Sequence, residues 1–352
     1  MKNLRLLAGK KAKKKIEKNG LTPDLVRLVV GASGAAKWLV LRGLDQFVFG
    51  EWLVKSKTET QLIGSSIGAW RMACAAQDDP AAAFHRFHKA YFNYSYEMGQ
   101  TQEKTTADSY ETLTQFLPPE LCLQAVSNPL RQLNIMAVRC KGLVASQRKL
   151  PQALGLLTAA GANAVSRASL GRFYDRAIFK SMAGGLDSHH FKGFGLVEGR
   201  LSATNLHDAL MASGSIPYVT DAISDIEGIE PGVYRDGGII DYHWDIDWDM
   251  KDGIVLYPHF YSHIIPGWFD KIIKRRASSD LDDLLILAPS DEFVATLPGG
   301  QIPDRRNFTQ MDTEARLTFW DYTCKESYRL ADEFVALLND QNKLMDSLEN
   351  IK

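Results

Sequence analysis

The sequence predicts an α/β protein with a central, mostly parallel sheet flanked by helices. Short, almost wholly apolar runs alternate with segments of helical periodicity, and a tight serine turn directly follows one run and precedes a helix. Apolar runs of this length are typical of strands that are buried on both faces of a sheet. The predicted strands are residues 25–30, 61–63, 134–138, 177–179, 253–257 and 284–287.

Composition limits the class of protein. The chain has 352 residues, 45% of them hydrophobic and 24% charged, which is enough to bury a large core. No apolar run reaches the ~18 residues of a spanning helix, and lysines interrupt the start where a secretory signal would be apolar. The four cysteines are scattered, which argues against a zinc site. We expect a cytoplasmic protein without metal, cofactor or nucleic-acid partner.

The chain is predicted to have three parts. Residues 1–20 contain eight Lys or Arg residues against one glutamate, which predicts a solvated helix or a disordered tail. Peripheral contact of this basic segment with an anionic membrane is the alternative. Residues 21–290 are predicted to form the main domain, and residues 291–352 a helical extension packed on it.

The serine turn is Gly64-Ser65-Ser66-Ile67-Gly68, which has the pattern G-x-S-x-G. Glycines at both ends let the chain turn sharply without a Cβ clash, so that Ser66 exposes its hydroxyl on a strained turn. The helix that follows directs unpaired N–H groups and its positive dipole end toward an anion formed there. This arrangement predicts a nucleophilic serine, with a turn that carries no chemistry as the alternative.

A serine hydroxyl needs a base, and the sequence offers two kinds. A Ser-His-Asp triad of the usual α/β type places its histidine late, which makes His243, His259 and His263 candidates. The other candidate is Asp236, which is followed by two glycines. An Asp-Gly turn without a catalytic role is the alternative for this residue.

Four segments, in order, resemble the motifs of the patatin-like phospholipases. They are the small-residue loop 30–37, the serine turn, the segment 212–217 and the segment 236–238. The family has G-G-G-x-[KR]-G, G-x-S-x-G, A-S-x-A-x-P and D-G-[GA] in this order. The resemblance spans about residues 25–240 and implies a patatin-like three-layer sandwich, so that residues 21–290 are the hydrolase domain.

The resemblance also implies a function. Ser66 resembles the nucleophile and Asp236 the general base of a Ser-Asp dyad, which needs neither histidine nor cofactor. Gly34 and Ala35 of the loop, with the N–H of Ile67, would stabilise the oxyanion. The glycines that support the motifs are Gly64, Gly68, Gly237 and Gly238. The implied activity is that of a phospholipase A-like lipid acyl hydrolase or a carboxylic esterase.

The loop departs from the family pattern, because Ser33, Ala35 and Trp38 stand at positions usually held by glycine. We expect Ala35 to donate its N–H provided that its φ is negative, and the Trp38 ring to narrow the site. The two alternatives are a Ser-His-Asp esterase and a catalytically weak protein that binds a membrane or a partner through the same fold.

Three other patterns have structural interpretations. The aspartates of residues 241–252 alternate with bulky apolar residues, which predicts a strand with one solvated face and not a metal site. Aromatic residues at helical spacing in residues 84–92 predict a core stripe, with the lining of an acyl pocket as the alternative. Residues 267–276 mix apolar and basic side chains, as interfacial and surface helices both do.

Overall fold

A computed structural model of the chain describes residues 2–94, 99–273 and 280–351. The strands are β1 (Leu4–Ala8), β2 (Val26–Gly31), β3 (Thr60–Ser65), β4 (Arg131–Cys140), β5 (Tyr174–Lys180), β6 (Leu196–Arg200), β7 (Ile223–Ser224), β8 (Val233–Asp236), β9 (Ile254–Pro258), β10 (Leu284–Pro289) and β11 (Leu348–Asn350). The α-helices are α1 (Lys10–Asn19), α2 (Arg42–Phe47), α3 (Ile67–Ala75), α4 (Pro80–Asn93), α5 (Gln102–Phe116), α6 (Pro119–Ser127), α7 (Lys149–Val165), α8 (Leu206–Gly214), α9 (Asp291–Thr296), α10 (Asn307–Gln310), α11 (Thr313–Glu326), α12 (Tyr328–Leu338) and α13 (Gln341–Ser347).

These strands form a single, mostly parallel sheet flanked by helices, in the order β11-β1-β10-β9-β2-β3-β4-β5-β6. The block β10-β9-β2-β3-β4 is parallel throughout, and the antiparallel pairs lie outside it. β8 pairs with β4, and β7 with β8. The α/β class and the parallel sheet predicted from the sequence are confirmed.

The six predicted strands are confirmed as β2, β3, β4, β5, β9 and β10. The parallel block consists almost wholly of buried residues, which explains why its strands are visible as continuous apolar runs. β1, β6, β7, β8 and β11 were not predicted, because they are short or interrupted by charged residues.

Residues 4–8 form a strand of the sheet, so the predicted disordered tail is wrong, whereas residues 10–19 do form a helix whose lysines are exposed or half-buried. β1 pairs with β10 on one side and β11 on the other, and Leu4 and Leu6 are fully buried. In α1 the ammonium of Lys15 lies 2.9 Å from a carboxylate oxygen of Asp283 and 2.7 Å from the carbonyl oxygen of Met250. Several of the basic charges therefore have partners inside the fold. At the other end of the chain, α12 packs on α2.

The acidic run at residues 241–252 is a loop, so the predicted strand is wrong. Burial does alternate, with Trp244 and Trp248 inside and Asp247 and Asp249 exposed, but the segment pairs with no strand among the described residues. The described ranges contain no group of three or more His, Cys, Asp or Glu side chains that could hold a metal ion. In the same ranges, no helix combines the length and the apolar character needed to cross a membrane.

Candidate active site

The sheet brings Ser66 and Asp236 together at one point on β4. β3 runs parallel to β4 and ends where Ser65 pairs with Met136. β8 runs antiparallel to β4 and ends where Asp236 pairs with Ala137, the next residue. Because β5 occupies the opposite edge of β4, β3 and β8 meet end to end along the same edge. Strand register, and not a flexible loop, therefore sets the separation of the two candidate catalytic residues.

The serine turn has the conformation that the motif predicts. Ser66 has a φ of 55° and a ψ of −131°, a positive-φ conformation that non-glycine residues rarely adopt. A Cβ on Gly64 would lie 2.3 Å from the carbonyl carbon of Gly68, and one on Gly68 would lie 2.2 Å from the carbonyl oxygen of Gly31. Gly64 packs against the start of α3 and Gly68 against β2 so closely that both positions require glycine.

The two side chains form a hydrogen-bonded dyad. The Ser66 hydroxyl donates to Oδ2 of Asp236 at 2.7 Å, and the N–H of Gly238 donates to Oδ1 at 2.7 Å. Burial raises the pKa of Asp236 to about 6, although these two hydrogen bonds act in the opposite direction. The Ser66 hydroxyl is thus hydrogen-bonded to a carboxyl group whose pKa is moved toward neutral pH by burial.

The glycines after Asp236 and a serine of α8 hold this geometry. A Cβ on Gly237 would lie 2.3 Å from the sulfur of Met136, and one on Gly238 would lie 2.6 Å from the Ser33 hydroxyl. Ser213 accepts a hydrogen bond from the Ser66 N–H at 2.9 Å and donates to the Met136 carbonyl at 2.6 Å. Ser213 lies in the predicted segment 212–217, but its contact with Ser66 was not predicted.

The predicted oxyanion donors lie beside Ser66. Among the residues that the structure describes, the N–H groups of Gly34, Ala35 and Ile67 have no acceptor within the protein. Ala35 has a φ of 47°, so the condition set for its donation, a negative φ, is not met, although its N–H has no acceptor among these residues. A short 3₁₀ helix, Ala35–Leu41, starts there, and the Ala35 N–H precedes its first hydrogen bond, in which the Lys37 N–H donates to the Gly34 carbonyl at 3.2 Å.

The loop is tied to the serine turn through buried hydroxyls. Ser33 and Ser65 hydroxyls lie 2.7 Å apart, and Ser65 donates to the carbonyl of Asp241 at 2.8 Å. A Cβ on Gly34 would lie 2.6 Å from the Phe260 ring, so this position also needs glycine. The loop and the turn are thus fixed relative to each other.

Two cavities meet at Ser66. The first, of about 390 Å³, also contains Asp236 and Gly34, and the second, of about 370 Å³, also contains Ile67. Ligand pockets usually measure about 300–1,000 Å³. The second cavity is largely apolar, and its apolar lining consists of Ile67, Trp70, Tyr91, Tyr94, Ile216, Val219 and Phe308.

The first cavity is rich in basic side chains. Its cationic lining consists of Lys37, Lys271, Arg305 and Arg306. Lys37 forms an ion pair with Asp304. Burial acts against it, but the N–H of Arg306 and the Lys37 ammonium lower the pKa of Asp304 to about 2, so this carboxylate stays charged. Arg305 lies far from Asp236 in the sequence and belongs to no motif, so its position in the cavity wall could not be predicted from the sequence.

The three candidate histidines lie away from the dyad. His243 accepts a hydrogen bond from the N–H of Ile265 and His259 from that of Tyr261. Burial lowers the pKa of His259 to about 3 and that of His243 well below its usual value. In the described part of the chain, neither they nor His263 hydrogen-bond to Ser66 or line its two cavities.

The aromatic stripe of α4 belongs to the core, as predicted. Phe84 and Phe87 are buried, and Tyr91 is buried as well but also borders the apolar cavity, so the alternative of a pocket lining applies to this one residue. Trp38 stacks on Phe87 with 4.4 Å between ring centroids and lines neither cavity. Its ring therefore does not directly narrow them, contrary to our expectation.

Comparisons with protein-family models, with curated proteins and with solved structures found no match to this chain.

Proposed function

We propose that this protein is a serine acyl hydrolase with a patatin-like three-layer fold, acting on lipid or other carboxylic esters through Ser66 and Asp236. The observation that carries the proposal is the 2.7 Å hydrogen bond from the Ser66 hydroxyl to Asp236 at the point where the two cavities meet. The four motifs in family order support it independently.

The proposed reaction has two halves. Asp236 takes the proton of Ser66 as Oγ attacks the ester carbonyl, and the carbonyl oxygen becomes an oxyanion facing the N–H groups of Gly34, Ala35 and Ile67. The protonated Asp236 returns the proton to the departing alkoxide, which leaves an acyl-serine. Water then attacks this ester, gives its proton to Asp236, and the acid is released as Ser66 is reprotonated. Losing one oxyanion donor costs about 2.7–4 kcal/mol in comparable sites.

The two cavities fit two different parts of an ester substrate. The apolar cavity fits an acyl chain, because Trp70, Val219 and Phe308 offer it apolar surface. The basic cavity fits a leaving group that carries negative charge, because Lys271 lines this cavity alone and Arg305 lies where the two cavities meet. An ester of a fatty acid with a phosphate-bearing alcohol has both properties, which supports a phospholipase A-like activity in lipid degradation.

A fluorophosphonate probe and one pair of variants test the proposal. The probe should label the wild-type protein at Ser66, and Ser66→Ala should abolish both labelling and ester hydrolysis while the far-UV circular dichroism stays unchanged. Ser65→Ala is the matched control, because its hydroxyl bonds inward and lines neither cavity. Labelling of the folded Ser66→Ala protein, or loss of activity only in Ser65→Ala, contradicts the assignment.

A further inference from the structure

Helix α7 has its hydrophobic side facing water. Four of its large apolar side chains are spaced by four, three and eight residues and therefore share one face. The exposed fractions are 79% for Leu150, 56% for Leu154, 70% for Leu157 and 87% for Val165. The opposite face, which packs on the protein, consists of Gln152, Gly155, Ala159 and Asn163. A helix whose outer face were only solvated would show the reverse pattern.

Helix α7 lies beside the cavity that contains Ser66 and Asp236. At the start of α7, the Tyr218 hydroxyl donates to the Lys149 carbonyl at 3.1 Å, and the preceding residue, Pro217, lines the basic cavity. Near the end of α7, Asn163 donates to a carboxylate oxygen of Asp270 at 2.9 Å. Asp270 belongs to the turn that also carries Trp268, another residue of the cavity wall. α7 is thus attached at both ends to segments that border the cavity with Ser66.

A further exposed apolar residue lies next to the cavity wall. Ile272 is 90% exposed and follows Lys271, which lines the basic cavity. Both lie in the segment 267–276 whose mixed composition suits an interfacial element, although residues 274–276 are outside the described residues.

The chain segment that forms α7 and its flanking turns carries charge of one sign, and two of its cations, Lys141 and Arg167, pair with aspartates of other segments. Residues 141–172 contain five Lys or Arg residues and no Asp or Glu. Arg148, Lys149 and Arg172 are exposed, and no ion pair involves them within the described residues. An apolar face with unneutralised cations on both sides matches a surface of acyl chains below anionic head groups.

We propose that the α7 face, defined as Leu150, Leu154, Leu157 and Val165, docks the protein on bilayers that contain anionic lipid. A second copy of the chain fits this face less well, because a symmetric pair would bring like charges together at Arg148 and Lys149. Docking rests on the proposed function in one respect only: its role is to bring the cavity that contains Ser66 to the lipid substrate. Vesicle binding itself needs no chemistry.

Binding is measured with the full chain carrying Ser66→Ala, so that no lipid is hydrolysed during the assay. The protein should sediment with phosphatidylcholine vesicles that contain phosphatidylserine, and added salt should weaken the binding by screening the cations. Leu154→Asp with Leu157→Asp should weaken vesicle binding by at least about tenfold, because two charges enter the docking face. Leu123→Asp is the control, since Leu123 is an exposed leucine on α6.

A second measurement does not depend on charged variants. The native cysteines are buried, so an environment-sensitive fluorophore attached to Leu157→Cys reports on this position alone. Its emission should shift to the blue on addition of the anionic vesicles, whereas the same fluorophore on Leu123→Cys should not respond.

Three results of the binding, fluorescence and sedimentation experiments overturn the proposal. These are vesicle binding unchanged by the aspartates, an unshifted fluorophore at position 157, and a dimer in sedimentation equilibrium that the aspartates dissociate. Wild-type protein that hydrolyses a short soluble ester without binding vesicles also overturns docking but leaves the proposed function standing. Vesicle binding through α7 by a protein that neither reacts with the probe nor hydrolyses esters supports docking and removes the proposed function.

Discussion

Replacing Asp236 by asparagine should abolish hydrolysis and, at neutral pH, stabilise the fold. Both effects come from one carboxylate. It is the proposed base, and burial raises its pKa from the ordinary 3.8 to about 6. A pKa rise of about two corresponds to about 3 kcal/mol, at about 1.4 kcal/mol per pKa unit.

The sign of the effect follows from proton linkage. The unfolded chain releases the Asp236 proton near pH 3.8 and the folded chain near pH 6, so the folded state loses stability as the pH rises between these values. Asparagine has no charge to bury. Its amide can accept from the Gly238 N–H and donate to the Ser66 hydroxyl, so that no buried group is left unpaired. Asp236→Asn should therefore gain up to about 3 kcal/mol over the wild type above about pH 7, and nothing below about pH 4.

Denaturant unfolding of both proteins across this pH range measures the difference directly. Asp346→Asn, which changes an exposed carboxylate on α13, is the control. In parallel, kcat/KM of the wild type for a soluble ester should fall as the pH drops below about 6, because the protonated carboxyl cannot act as a base. An asparagine variant that is active, or less stable than the wild type at every pH, refutes the reasoning.

Further changes test the turn, the apolar cavity and the histidines. Gly68→Ala should lower the free energy of unfolding by about 1–3 kcal/mol and abolish the activity, because its Cβ would lie 2.2 Å from the Gly31 carbonyl oxygen. Gly161→Ala is the control and should change neither, since nothing lies within 4 Å of its Cβ. Thermal unfolding measures the stability of both variants. Val219→Trp should lower kcat/KM for long-chain esters about tenfold and spare acetyl esters, and an equal loss for both would contradict the cavity assignment. His243→Asn keeps an acceptor for the Ile265 N–H and should stay within about threefold of wild-type kcat/KM; a folded but inactive variant would point to a triad.

The parallel strands and the serine turn were predictable because their signals are local. β2 and β3 are buried along most of their length, so most of their residues are apolar and the strands can be recognised from the sequence. The glycines of the turn indicate that it packs closely on neighbouring backbone. Asp236 was predicted as a base from the motif alone. Its place at the end of β8 was not, because that four-residue strand contains Arg235 and Asp236 and depends on β4 for its pairing.

The N-terminal residues show that a run of charges in the sequence does not reveal which side chains have partners elsewhere in the chain. The lysines of α1 suggest a solvated or membrane-bound segment, but Lys15 pairs with Asp283, far away in the sequence. β1 is a strand between two others, so deleting the basic segment would remove part of the sheet as well as its charges. The alternation at residues 244–249 misled in the opposite way, since any extended chain with one side packed alternates in burial, whether or not it has a neighbour to pair with.

Ser66 and Asp236, at the ends of β3 and β8, both lower the stability of the folded protein. A positive φ at a non-glycine residue such as Ser66 costs on the order of 1–3 kcal/mol, and the buried carboxylate of Asp236 adds about 3 kcal/mol at neutral pH. Together these are a large share of the ~5–15 kcal/mol that stabilises a typical domain. They persist because β3 and β8 are both fixed to β4, at Met136 and Ala137, so the turn cannot relax without breaking strand pairs. A turn that served only to connect a strand with a helix would gain nothing from this strain, which supports a chemical role for Ser66.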